Sequence, residues 1–116
     1  LKVNAGAYSF EAGNPRHEHE YHLWEHVALP EGKLILPGVI THASSVVEHP
    51  EYIAERIIRF ADRVGRENVI ASTDCGFSSQ AIYKTEVENR VVWAKLEALA
   101  EGARIASARL WSKAVA

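Results

Sequence analysis

"VGRENVIASTDCGF", residues 64–77, decides the fold. Val64 closes the series Ile53, Ile57, Phe60, Ala61 and Val64, whose apolar positions fall at helical spacing. Pro50 suits the first turn of that helix, and Gly65 suits its C-terminal cap. Almost at once "NVIAST", residues 68–73, reads as a strand that runs into the polar "DCG". A helix therefore feeds directly into a strand whose carboxyl end carries an acid and a thiol.

The same order extends in both directions. Upstream, "KLILPGVI" (residues 33–40) is a second strand, with a bulge or bend expected at Pro37-Gly38 because proline cannot donate to a ladder. "LKVNAGAYSF" (residues 1–10) is a third, and its helix is expected over residues 15–26, stopping before Pro30. Downstream, Thr85-x-x-Glu88 reads as a capping box. Val92, Leu96, Leu99, Ala103, Ala106 and Leu110 then form one apolar helical stripe. Strand and helix alternate at roughly 32–35 residues, the pattern of parallel βα units. The expected class is α/β, three parallel βα units in one domain or less.

Composition sets outer limits. With 47% apolar and 24% charged residues in a chain of 116, this is ordinary globular chemistry. A net charge of −2 with scattered basic residues argues against nucleic acid as a partner. No apolar run approaches the ~18 residues of a membrane span. The first residues lack a signal-peptide pattern. The single cysteine, Cys75, cannot form an internal disulfide and fits a reducing, cytoplasmic compartment. The chain starts at Leu1 and contains no methionine, so it reads as a piece of a longer or processed polypeptide.

In parallel sheets chemistry gathers at the carboxyl ends of strands. Here those ends hold Glu11, then Thr41 and His42, then Asp74 and Cys75. Cys75 has three readings: a buried structural thiol, a nucleophile partnered by His42, or a zinc ligand shared with Glu11. Spacing leaves the three open. Asp74 either orients a ligand or caps the turn after its strand. A competing motif lies at "HLWEH", residues 22–26, which matches the H-x-x-E-H pattern of inverted zinc peptidases. The plainer reading is an amphipathic helix with Leu23 and Trp24 toward the core. Arg16, His17 and His19 precede it, close enough to the strand ends to meet an anionic substrate.

"AYSFEAGNPRHEHE", "LPGVITHASSVVEHPEYIAERI", "VGRENVIASTDCGF" and "VVWAKLEALAEGA" together cover most of the chain. They resemble the last third of the catalytic domain of cobalamin-independent methionine synthase and its shorter homologues, a group that includes epoxyalkane:coenzyme M transferases. "TDCGF" followed by "WAKLEALAEGA" is the more specific part of the likeness. The resemblance implies a (β/α)₈ barrel, with residues 1–116 as strands six to eight and their helices. It implies a zinc ion held by a His-x-Cys pair, a glutamate and the cysteine of D-C-G. Glu11 of "SFE" matches the glutamate and Cys75 of "TDCG" matches that cysteine. No His-x-Cys occurs in this chain, so half of the implied zinc site is missing from it. The family also has a proton-handling histidine in a D-x-H-S setting. This chain reads "THAS", with Ala43 at the matching position and His42 one residue earlier as the acid–base candidate.

The implied activity is zinc-dependent transfer of a methyl or alkyl group to a substrate thiol such as homocysteine. The implied donor is a methylated folate in the synthases, or an epoxide in the coenzyme M enzymes. A free thiol with a pKa near ~8.5 is mostly protonated at neutral pH, and zinc removes that proton. The rival reading is a non-catalytic α/β assembly unit with Cys75 buried. Three βα units also leave the inner sheet face and two edges open, so a homo-oligomer or the missing N-terminal part of the barrel is the expected partner.

Overall fold

A computed structural model of the chain describes residues 1–77 and 87–112. Strands β1 (Ala7–Phe10), β2 (Leu34–Ile40) and β3 (Ser72–Thr73) form one parallel sheet in the order β1-β2-β3. Two α-helices, α1 (Pro50–Val64) and α2 (Asn89–Ser112), cover one face. The class is α/β with parallel connections, as the alternation of elements predicts. No helix among the described residues is long and apolar enough to cross a membrane.

The central strand shows how the sequence builds this arrangement. Ile35 and Val39 point to the helical layer and are fully buried. Ile35 packs with Trp24 and Phe60, while Val39 packs with Ile53, Ala54, Ile57, Ala98 and Ala106. Leu34 and Leu36 lie on the opposite face and are only half-buried. Over residues 34–37 that alternation is the two-residue period of a strand; from Pro37 to Ile40 every residue is buried. Phe10 of β1 completes the layer, with ring centroids 6.1 Å from Trp24 and 5.9 Å from Phe60. The register of β2 against β3 shifts between Gly38 and Ile40, beside the Pro37-Gly38 step where a bulge is expected.

Helix α1 begins and ends as its sequence dictates. The His49 side chain accepts the Glu51 N–H at 3.1 Å, Pro50 fills the first turn, and Gly65 closes the helix at φ 98°. In α2 the Glu88 carboxylate accepts the Arg90 N–H at 2.9 Å, and its carbonyl accepts those of Val91 and Val92. Glu88 thus serves the helix start directly. Thr85, the other half of the expected capping box, lies outside the described residues.

Three expectations need correction. The segment after β1 is a 3-10 helix, Glu18–Glu25, rather than a helix over residues 15–26. It is a short segment pinned from outside: Trp24 is buried beneath the sheet, and Tyr21 lies under the guanidinium groups of Arg59 and Arg63. Its tighter turn leaves Leu23 54% exposed, not in the core. The strands are also shorter than the apolar runs: β1 starts at Ala7, and β3 is confined to Ser72–Thr73 after an isolated Ile35–Val69 bridge. Finally, the buried line of α2 is Lys95, Ala98, Gly102 and Ala106. Leu96, Leu99 and Ala103 pack at its flank. The helix is rotated because Gly102 lets it press against α1, where a Cβ would lie 2.6 Å from Ile53 Cβ and 3.0 Å from the Pro50 carbonyl oxygen.

Candidate metal and thiol centre

The carboxyl ends of all three strands converge. Glu11 follows β1 directly, and His42 and Cys75 lie two residues beyond β2 and β3. One donor atom from each of Glu11, His42 and Cys75 falls within 4.8 Å of the others, the sole such metal-capable group among the described residues. Cys75 Sγ lies 3.0 Å from His42 Nδ1 and 3.6 Å from Glu11 Oε1. Around a tetrahedral ion with bonds of about 2.0–2.3 Å, neighbouring ligand atoms are about 3.3–3.6 Å apart. The sulfur–oxygen separation already matches that spacing, and the sulfur–nitrogen pair needs to open by only a few tenths of an ångström. Sulfur, imidazole nitrogen and carboxylate oxygen are the donor types zinc takes, so these residues fit the metal.

Cys75 is exposed, which removes the reading of a buried structural thiol. It opens beside a cleft of about 320 Å³ lined by Glu11, Asn14, Pro15, Arg16, His42 and Ala43. Arg16 is therefore at the cleft. His17 is also near, its Nε2 3.5 Å from Glu11 Oε2 while its Nδ1 pairs with Glu20 at 3.0 Å. His19 is not part of this group; it lines a separate surface hollow with Glu20, His22, Leu23 and His26. In the peptidase motif, His22 pairs with Glu25 at 3.0 Å, and His26 lies beyond the 3-10 helix. These residues assemble no metal-capable group among the described residues.

Asp74 ties the site together from beneath. It is buried, and its Oδ1 accepts the backbone N–H groups of Ala12 at 2.9 Å and Gly13 at 2.7 Å. Its Oδ2 accepts from Asn14 Nδ2 at 2.9 Å. The same amide reaches Glu11 Oε2 at 3.1 Å, leaving Oε1 toward Cys75. The end of β3 thus sets the conformation of the turn after β1 and aims its carboxylate. Gly38 makes this possible, since a Cβ there would overlap Asp74 Oδ1 and lie 2.7 Å from the Asp74 Cα.

A second buried anchor holds the loop that carries His42. Glu48 accepts the Thr41 N–H at 2.7 Å through one oxygen and Lys95 Nζ at 2.7 Å through the other. Lys95 also donates to the Val46 carbonyl at 2.6 Å and is fully buried. Sequence reasoning missed Asn14, Gly38, Glu48 and Lys95. Lys95 had a usable signal, because it shares the spacing of Ala98, Gly102 and Ala106. Gly38 was legible only as a bend beside Pro37, and Asn14 carried no signal, since their partner Asp74 is distant in sequence.

No family model matches the chain, and no curated protein matches it. Among solved structures, a B12-independent methionine synthase from Shewanella sp. W3-18-1, in complex with selenomethionine, superposes with a TM-score of 0.77 at 27% identity. The match covers 96% of this chain and 29% of that one. The chain therefore spans under a third of the length of the enzyme it resembles. The fold is a run of parallel βα units of the (β/α)₈ type, similar to part of that methionine synthase.

Proposed function

We propose that this chain carries one side of a zinc-dependent thiol S-methyltransferase centre, as in methionine synthesis from homocysteine with a methylated folate as donor. The observation that carries the proposal is the meeting of Glu11 and Cys75 at the mouth of the sheet, 3.6 Å apart and 64 residues apart in sequence. The likeness to a B12-independent methionine synthase supports the same reading.

Glu11 and Cys75 would hold zinc, which when bound supplies Lewis-acid stabilisation of a substrate thiolate at neutral pH. The protein groups do the rest. Asp74 and Asn14 fix the Glu11 carboxylate so that one oxygen faces the sulfur. Arg16 offers a cation at the rim of the cleft for an anionic part of the substrate. His17 lies behind Glu11 and steadies its outer oxygen. The open sheet face and edges call for further barrel strands, from a longer polypeptide or a second copy, around this half-site. On that reading residues 1–116 are strands six to eight of the barrel, working in the cytoplasm.

The test is zinc content and methyl transfer to homocysteine, measured together in the assembly that contains this chain. Cys75→Ser should lower both; zinc content equal to wild type would refute the proposal.

A further inference from the structure

We infer that His42 is itself a metal ligand, so that Glu11, His42 and Cys75 form a three-residue cation site belonging wholly to this chain. The inference rests on the preceding reading that a metal sits between Glu11 and Cys75. It departs from the ligand set that the resemblance implies, in which a His-x-Cys pair supplies the remaining donors. The observation behind it is an imidazole whose Nδ1 is the nearest of these donors to the Cys75 sulfur, at 3.0 Å.

Three features favour ligation over a base role. The first is convergence: all three donor atoms lie within 4.8 Å of one another, from three successive strand ends. Such a site is positioned by the sheet, so little chain entropy is lost when an ion arrives. The second is orientation. Asn14 occupies Glu11 Oε2 and leaves Oε1 facing Cys75, on the side where His42 Nδ1 sits. The third is support: Glu48, held by buried Lys95, fixes the backbone at Thr41, one residue before His42. Outer-shell hydrogen bonds that help position a ligand are usual companions of metal sites. One thiolate, one imidazole and one carboxylate select zinc or cobalt(II) over magnesium or calcium, which take oxygen donors. Three protein ligands leave a position for a substrate thiol.

Cobalt(II) is the probe, because it reports its ligands by absorption. Titrated into the metal-free chain, it should bind one per chain, with tetrahedral ligand-field bands and a sulfur-to-cobalt charge-transfer band. His42→Ala and His42→Gln should each bind more than about 100-fold more weakly, beyond the 10–100-fold typical of an outer-shell partner. Free imidazole should restore affinity to His42→Ala. Circular dichroism of each variant, matched to wild type, separates ligand loss from unfolding. If both His42 variants bind within threefold of wild type with the same bands, His42 is not a ligand, and the Glu11–Cys75 reading stands. If Cys75→Ser keeps the affinity, that underlying reading fails. A wild-type chain that binds no cobalt overturns the self-contained site.

Discussion

Removing the Asp74 carboxylate should unfasten the site and a measurable part of the fold. Hydrogen bonds to a charged acceptor contribute about 1.5–3 kcal/mol each, and Asp74 accepts three. They are not lost equally in Asp74→Ala. Asn14 Nδ2 keeps a second acceptor in Glu11. The Ala12 and Gly13 N–H groups are buried and would be stranded, at about 1–3 kcal/mol each. Release of a buried carboxylate offsets part of this. The net expectation is a loss of about 3 kcal/mol, a large share of the roughly 5–15 kcal/mol of a typical domain. Asp74→Asn should cost only about 1 kcal/mol, because both backbone donors converge on Oδ1 and an amide oxygen can replace it. Urea unfolding at neutral pH measures both, with the midpoint of Asp74→Ala falling by roughly 1–3 M for slopes of about 1–3 kcal/mol per molar. An Asp74→Ala variant within about 0.5 kcal/mol of wild type would refute the reasoning. So would equal damage from Asp74→Asn.

Lys95→Met leaves the Glu48 carboxylate buried without its cation, and should cost about 3–5 kcal/mol in the same urea assay. The double variant Glu48→Gln/Lys95→Met should recover much of that loss, and a double variant worse than the single one would count against the pair. Hydrogen bonding from Arg63, with a smaller share from His22, holds the Glu25 carboxyl below its ordinary value of 4.5. A carboxylate so depressed adds stability above the unfolded-state value and loses it as pH falls through the folded-state value. Glu25→Gln should therefore flatten the acid side of the stability profile, and superimposable wild-type and variant curves would contradict this. The sheet face opposite the helices, where Leu34 and Leu36 are only half-buried, should drive association. Sedimentation velocity of the chain should show species larger than a monomer, and a single monomeric species across a wide concentration range would contradict it.

The parts of the site carried by the order of elements were legible in the sequence. Glu11, His42 and Cys75 were found because they terminate three apolar runs, and parallel strands bring such termini to one edge. The helix boundaries at Pro50 and Gly65 were legible for a local reason, since capping chemistry acts within one turn. What escaped depends on contacts distant in sequence. The role of Asp74 as the clamp of the β1 turn needs Gly38 on the intervening strand. The rotation of α2 needs Gly102 against Ile53. The histidine-rich stretch misled for a related reason: its spacing has meaning only for an assumed helical period, and outside contacts at Trp24 and Tyr21 set a tighter one.

The central claim concerns the sulfur of Cys75, and the chain has one cysteine. Zinc K-edge X-ray absorption of the zinc-loaded chain therefore addresses it without ambiguity. A single sulfur scatterer at about 2.3 Å, absent from Cys75→Ser, is the predicted result. A wild-type spectrum fitted by oxygen and nitrogen alone would contradict the account.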